Sequence, residues 1–313
     1  MSAPTPRSDR VERPNTNMQA GGSLPFVFAN DSRVLPEAHS PRPAARRPHI
    51  TARRVALIAS RLSPKDHQLL DAVSRLNVAS HAQLRRLFYD DSESARRQAR
   101  SDLARLTKLR IIGRLERRVG GVRAGSEGYV YALDIVGQRL TRPGRRRYRP
   151  PWTPRPEQVA HALAVSELYV ALKASERPTA TLASFQAEPA SWRSYAGPGG
   201  GRARIKPDAY AVVDIGDYEC RYFIEVDRST ESTSRLTEKA RAYVRYWQSG
   251  REQSESGMFP LVVWVVPDAR RHQQMTEALA ALPAEHWHLF AVCTAEAAGA
   301  LLTTPTDTEE VTP

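Results

Sequence analysis

The sequence predicts an α/β protein in two parts, a basic half of short helices closed by two strands and an acidic half built on a mixed sheet. Residues 1–150 hold 30 Lys and Arg against 13 Asp and Glu, a balance of +17, whereas residues 151–313 hold 16 against 21, a balance of −5. Apolar residues recur at helical spacing in consecutive capped segments from Ser63 to Leu109. From Glu157 to Leu302, helical patterns alternate with apolar runs of strand length, as a layered α/β fold requires.

Residues 1–52, rich in Pro, Ser, Asn and Arg and without a sustained period, are expected to be a disordered basic arm. The first helix is expected in "SPKDHQLLDAVSRLN". Ser63 caps it, Pro64 takes the first helical position, and Leu69, Leu70, Val73 and Leu76 form its apolar stripe. "SHAQLRRLFYD" repeats the pattern, with Ser80 and Gln83 as a capping box and Leu84, Leu87 and Phe88 as the stripe.

A third helix follows in "DSESARRQARSDLARLTKLR". With Ala95, Ala99, Leu103 and Leu106 turned inward, Arg96, Arg97 and Arg100 cluster off the stripe near its N-terminal end, as on a helix that reads the major groove. "IIGRLERRVGGVRAGSEGYVYALD" then gives two strands around a Gly-rich turn, with Arg117, Arg118 and Arg123 near the tip. Residues 53–140 are therefore expected to form a winged helix-turn-helix. Arg96, Arg97 and Arg100 are its candidates for base contact, and Arg117, Arg118 and Arg123 for backbone contact. Double-stranded DNA is the expected partner of so basic a half.

Residues 141–156, "TRPGRRRYRPPWTPRP", carry too much Pro and Arg for a core element and are expected to be a linker. In the helix expected in "PEQVAHALAVSELYVALK", Glu167 shares the face of Leu163 and Val170, and His161 is expected to be packed or solvated rather than a base. Asp208 opens the next-but-one strand, Asp214 to Asp217 make a Gly-containing turn, and "YECRYFIEVD" runs back. Asp208 and Glu225 thus come to one end of the sheet. Strand alternation sends Glu225 and Asp227 to one face, where carboxylates can share a hard cation such as Mg²⁺. "STSRLTEKARAYVRYWQ" gives an amphipathic helix, and "FPLVVWVVP" a strand buried on both faces.

Several signals are set aside. "GPGGG" at 197–201 is expected to be a surface turn rather than a phosphate loop, and His286 and His288 are expected on one strand face without a third ligand. Cys220 and Cys293 sit in strand-like runs and are expected to be reduced thiols. No apolar run is long enough to span a bilayer, so a cytoplasmic protein is expected. Residues 303–313 are expected to be a disordered tail.

Glu167 on a helix, "PD" at 207 and 208, and "EVD" at 225–227 resemble the core of the PD-(D/E)xK nuclease superfamily. The C-terminal domain, residues 157–302, is accordingly expected to be a mixed-sheet PD-(D/E)xK-like α/β domain. The resemblance implies a metal site at Glu167, Asp208 and Glu225 and a catalytic set of Asp208, Glu225 and Asp227. Its Lys, two positions after the Glu, is replaced here by Asp227, leaving Arg228, or Lys239 on the following helix, for that role.

A winged helix followed by such a degenerate nuclease-like domain also resembles the replication-relaxation family of bacterial plasmids and integrative elements, over about residues 54–300. That resemblance implies a DNA-binding protein of plasmid replication and DNA relaxation. Further partners would be other replication or mobilisation proteins and a second copy of the chain, with no membrane. No cofactor is required by this reading. An active Mg²⁺-dependent endonuclease is the alternative, and a winged-helix transcriptional regulator the second.

Overall fold

The computed structural model describes residues 50–115, 128–144 and 155–304. The chain divides into residues 1–48, outside the described residues, and His49–Pro313, to which everything below belongs. Arg117, Arg118 and Arg123 also lie outside the described residues, as do most of the 141–156 linker and the tail from 305.

The basic half opens with α1 (Ala52–Ala59), a helix not expected from the sequence, at the start of the unit expected over residues 53–140. Thr51 caps it, accepting from the Arg54 amide. Helix α2 (Pro64–Leu76) begins at a Ser63–Asp66 capping box, and β1 (Val78–Ser80) leads into α3 (His81–Phe88) through the expected Ser80–Gln83 box. These reciprocal caps satisfy amides that would otherwise end each helix unpaired. Helix α4 (Glu93–Lys108) starts at Ser92 and buries Ala99, Leu103 and Leu106.

Strands β2 (Ile112–Arg114) and β3 (Val130–Leu133) complete an antiparallel sheet in the order β1-β3-β2. Helix α5 (Ile135–Thr141), not expected from the sequence, packs where Gly137 meets the backbone of Ile111. A Cβ there would stand 2.2 Å from the Ile111 carbonyl oxygen, so only glycine permits this approach.

The acidic half begins with α6 (Pro156–Ala174) and β4 (Ala180–Ala187). Strands β5 (Arg193–Ala196) and β6 (Arg202–Ile205) pair antiparallel as a separate hairpin. The sequence reading gave only the turn at its tip, where Gly199 and Gly200 take φ of 78° and 79°. Then come β7 (Ala209–Ile215), β8 (Tyr218–Val226), α7 (Thr233–Gln248), α8 (Arg251–Ser256), β9 (Leu261–Val266), α9 (Ala269–Ala280), β10 (Phe290–Thr294) and α10 (Ala298–Leu302). His286 and His288 were expected on a strand. They lie instead in a 3-10 turn, Ala284–Leu289, both against the Trp247 ring, because "PAEHWHL" follows a helix and must reverse direction before β10.

The main sheet is mixed and five-stranded, in the order β10-β9-β8-β7-β4, with β8, β9 and β10 parallel and β7 antiparallel to both β8 and β4. Side-chain alternation divides its two faces. Ala209, Ala211, Val213, Ile224 and Val263 join Leu168 and Leu172 of α6 in one core, which also contains Leu69, Val73 and Leu76 of α2. Tyr210, Phe223, Val262 and Trp264 face Leu236, Ala240 and Tyr243 of α7 in the other. Both cysteines are free, and burial pushes the Cys293 thiol up to about 12. Among the described residues no helix is long and apolar enough to cross a membrane.

Candidate functional site

The β7–β8 register pairs Ala209 with Ile224, so Asp208 and Glu225 come opposite one another at the next step. Asp208 is buried at the head of β7. Its Oδ1 lies 2.9 Å from His161 Nε2 on α6, and its Oδ2 accepts the Val226 amide at 2.8 Å. Glu225 is 1 % exposed. Its Oε1 accepts the Tyr243 hydroxyl at 2.5 Å, and its Oε2 lies 2.6 Å from Lys239 Nζ. Lys239 and Tyr243, four residues apart on α7, project along one helix face onto this carboxylate.

Complete burial pushes Glu225 up to about 8; Lys239 draws it down without offsetting burial, and the Asp208 charge adds to the rise. For Asp208, burial acts upward but is outweighed by the His161 hydrogen bond, the Lys239 charge and the Val226 amide, so its carboxyl stays below the usual range. The same hydrogen bond raises His161. Lys239 is held charged: burial would lower it, and the facing Glu225 and Asp208 charges more than compensate.

The other predicted carboxylates stand apart. Asp227 forms a buried pair with Arg271 of α9, whose Nη2 also donates to the Glu231 carbonyl at 2.7 Å. Glu167 is held by Arg86 Nη2 at 2.5 Å and by Gln83 Nε2 at 3.0 Å, both from α3. The structure therefore gathers Asp208, Glu225 and Lys239, adds His161 and Tyr243, and leaves Glu167 and Asp227 in separate ion pairs. Arg271 was missed by the sequence reading, and His161, expected there to be packed or solvated, stands against Asp208. Tyr243 had a signal, its four-residue spacing from Lys239, whereas Arg271 lies 44 positions from its partner and had none.

Carboxylate oxygens are the donors Mg²⁺ takes. Here, though, all four oxygens of Asp208 and Glu225 already face protein donors, and among the described residues no three His, Cys, Asp or Glu side chains converge as a metal site. As arranged, the cluster is a closed ion-pair network rather than a fit for a resident divalent ion.

On the basic half, Arg96, Arg97 and Arg100 are exposed on the N-terminal part of α4, with Arg100 3.6 Å from Glu93. The opposite side of α4 is fastened to α2 and its flank. Arg105 reaches Asp66 at 2.5 Å and Asp102 at 3.3 Å, and the Tyr89 hydroxyl donates to Asp102 at 2.9 Å. The exposed arginines thus stand on a helix whose orientation is fixed from behind.

A family model described as replication-relaxation matches residues 70–262. No curated protein and no solved structure matches the chain.

Proposed function

This chain belongs to the replication-relaxation family, and from that premise we propose that it is a DNA-binding protein of plasmid or mobile-element replication, built as a winged helix-turn-helix joined to a PD-(D/E)xK-like domain. The observation that carries the DNA reading is the exposed Arg96, Arg97 and Arg100 cluster on α4, which follows the capped α3 after a short turn. The element order α2, β1, α3, α4, β2, β3, with β3 between β1 and β2, supports the winged-helix reading. The +17 balance of the first 150 residues supplies the attraction for a polyanion.

In this reading the winged helix docks on the duplex, and the nuclease-like domain serves as a second DNA-contacting or assembly module. Binding of labelled duplex, titrated in salt, tests it. Affinity falls steeply with salt, and Arg97→Ala with Arg100→Ala weakens it and reduces the log–log salt slope by about 2. Binding independent of salt, or no binding, rejects the reading.

The place of Lys239 favours a second reading, metal-dependent strand cleavage at Asp208, Glu225 and Lys239, in which Lys239 fills from α7 the role vacated at Asp227. The Asp208–His161 and Glu225–Lys239 contacts would have to open for a metal to enter. A plasmid-nicking assay in Mg²⁺ and in Mn²⁺ decides it, since equal inertness of wild type and Asp208→Ala eliminates the enzyme.

A further inference from the structure

We propose that the β5–β6 hairpin is a second nucleic-acid contact, a row of cations that lays a phosphodiester backbone along the path leading to Asp208. The inference rests on the reading of the chain as a DNA-binding protein but on none of the residues of α4. In "RARIK", Arg202, Arg204 and Lys206 alternate with Ala203 and Ile205. Strand geometry sends the three cations to one face, spaced by roughly 6.6–6.8 Å, and the two apolar residues to the core that contains Phe223 and Trp264. All three cations are exposed.

Their charge is uncompensated. Many other bases of the acidic half are paired, among them Arg221 with Glu219, Arg235 with Glu231, Arg245 with Glu238, Arg251 with Glu255 and Arg271 with Asp227. Among the described residues neither Arg202, Arg204 nor Lys206 has a carboxylate within ion-pair distance. In a region where acids outnumber bases 21 to 16, these three cations alternate along one five-residue segment, β6 and the residue after it.

The row is also held in place. The Trp192 ring lies beneath Arg204 and Lys206, with their charged groups 5.5 Å and 5.0 Å from its centroid. At the hairpin's base the buried Ser191 hydroxyl donates to the Pro207 carbonyl at 2.6 Å, so the last cation stands two residues from Asp208 on a pinned segment. A line of exposed point charges suits a repeating anion better than a single carboxylate or mononucleotide. A contact made to the phosphate backbone positions the protein without reading sequence.

The test uses the full chain with Arg202→Ser, Arg204→Ser and Lys206→Ser combined, and a fluorescent duplex carrying a single-stranded tail. Kd is expected to rise roughly tenfold or more, and the log–log salt slope to fall by about 2 to 3. Unchanged Kd and slope beside a wild type that binds overturn the hairpin proposal and leave the α4 reading intact. A wild type that binds no DNA overturns both. Should the triple variant lose its fold, a photo-crosslinker placed at position 204 of the otherwise unaltered chain decides: an adduct to the DNA is expected, and none overturns the proposal.

Discussion

Lys239 Nζ sits 2.6 Å from Glu225 Oε2, and the carboxylate it meets is 1 % exposed. The lysine enters from α7 with a third of its side chain still in contact with water, so the pair is a buried acid closed by a cation from the surface.

Above about pH 8, where the Glu225 carboxyl is ionised, removing Lys239 leaves an uncompensated charge in the core. At about pH 9, Lys239→Met is expected to destabilise the fold by about 3–5 kcal/mol, and Lys239→Met with Glu225→Gln to recover much of that loss. Urea denaturation of the single and double variants measures it; a double variant no more stable than the single would show that the pair is not coupled.

The same carboxyl gives stability a pH dependence of defined sign. Folded Glu225 holds its proton up to about 8, whereas in the unfolded chain the carboxyl loses it near the ordinary glutamate value of 4.5. Between these values the folded state binds more protons, so stability declines as pH rises, by at most about 1.4 kcal/mol per pH unit from this group. His161, raised above 6.5, contributes in the same direction: its stabilisation is complete below 6.5 and is lost as pH rises through its folded value. Asp208, lowered from 3.8, acts oppositely but only in acid. Urea midpoints are expected to fall between about pH 5.5 and about pH 8.5, and Glu225→Gln to flatten the decline. A decline that survives the substitution undiminished would assign it elsewhere.

The contact between α3 and α6 is expected to be weak on its own. Arg86 and Glu167 are 43 % and 48 % exposed, and an ion pair so open to solvent contributes about 0–1 kcal/mol. Arg86→Ala should shift the denaturation midpoint little. A large loss would mean that Gln83 and Glu167 depend on the arginine for more than charge.

Gly137 is the opposite case, a position where one methyl group collides with backbone. Gly137→Ala is expected to destabilise by about 1–3 kcal/mol through overpacking against Ile111. Calorimetry of the variant reads this directly, and an unchanged Tm would show that α5 can move away from β2.

Much of the architecture was legible because its causes are local. Ser63, Ser80 and Gln83 announce helix starts through contacts three residues long, and the return of β8 along β7 follows from a Gly-containing turn between two apolar runs. The Asp208–Glu225 juxtaposition was legible for the same reason, since a hairpin converts a sequence spacing into a distance. The β5–β6 hairpin was less so: its strands are four residues each and its alternating Arg residues look like any solvated face.

Residue types, caps, charge division and strand alternation were thus determined by the sequence alone, because each acts within a turn or across a hairpin. Only the tertiary structure decided that His161 meets Asp208 across 47 positions, that Arg86 takes Glu167 across 81, and that Arg271 takes Asp227 across 44. The reason is physical: a buried carboxylate must find a donor wherever packing brings one, and the identity of that donor depends on how helices α3, α6 and α9 come to lie against the rest of the fold.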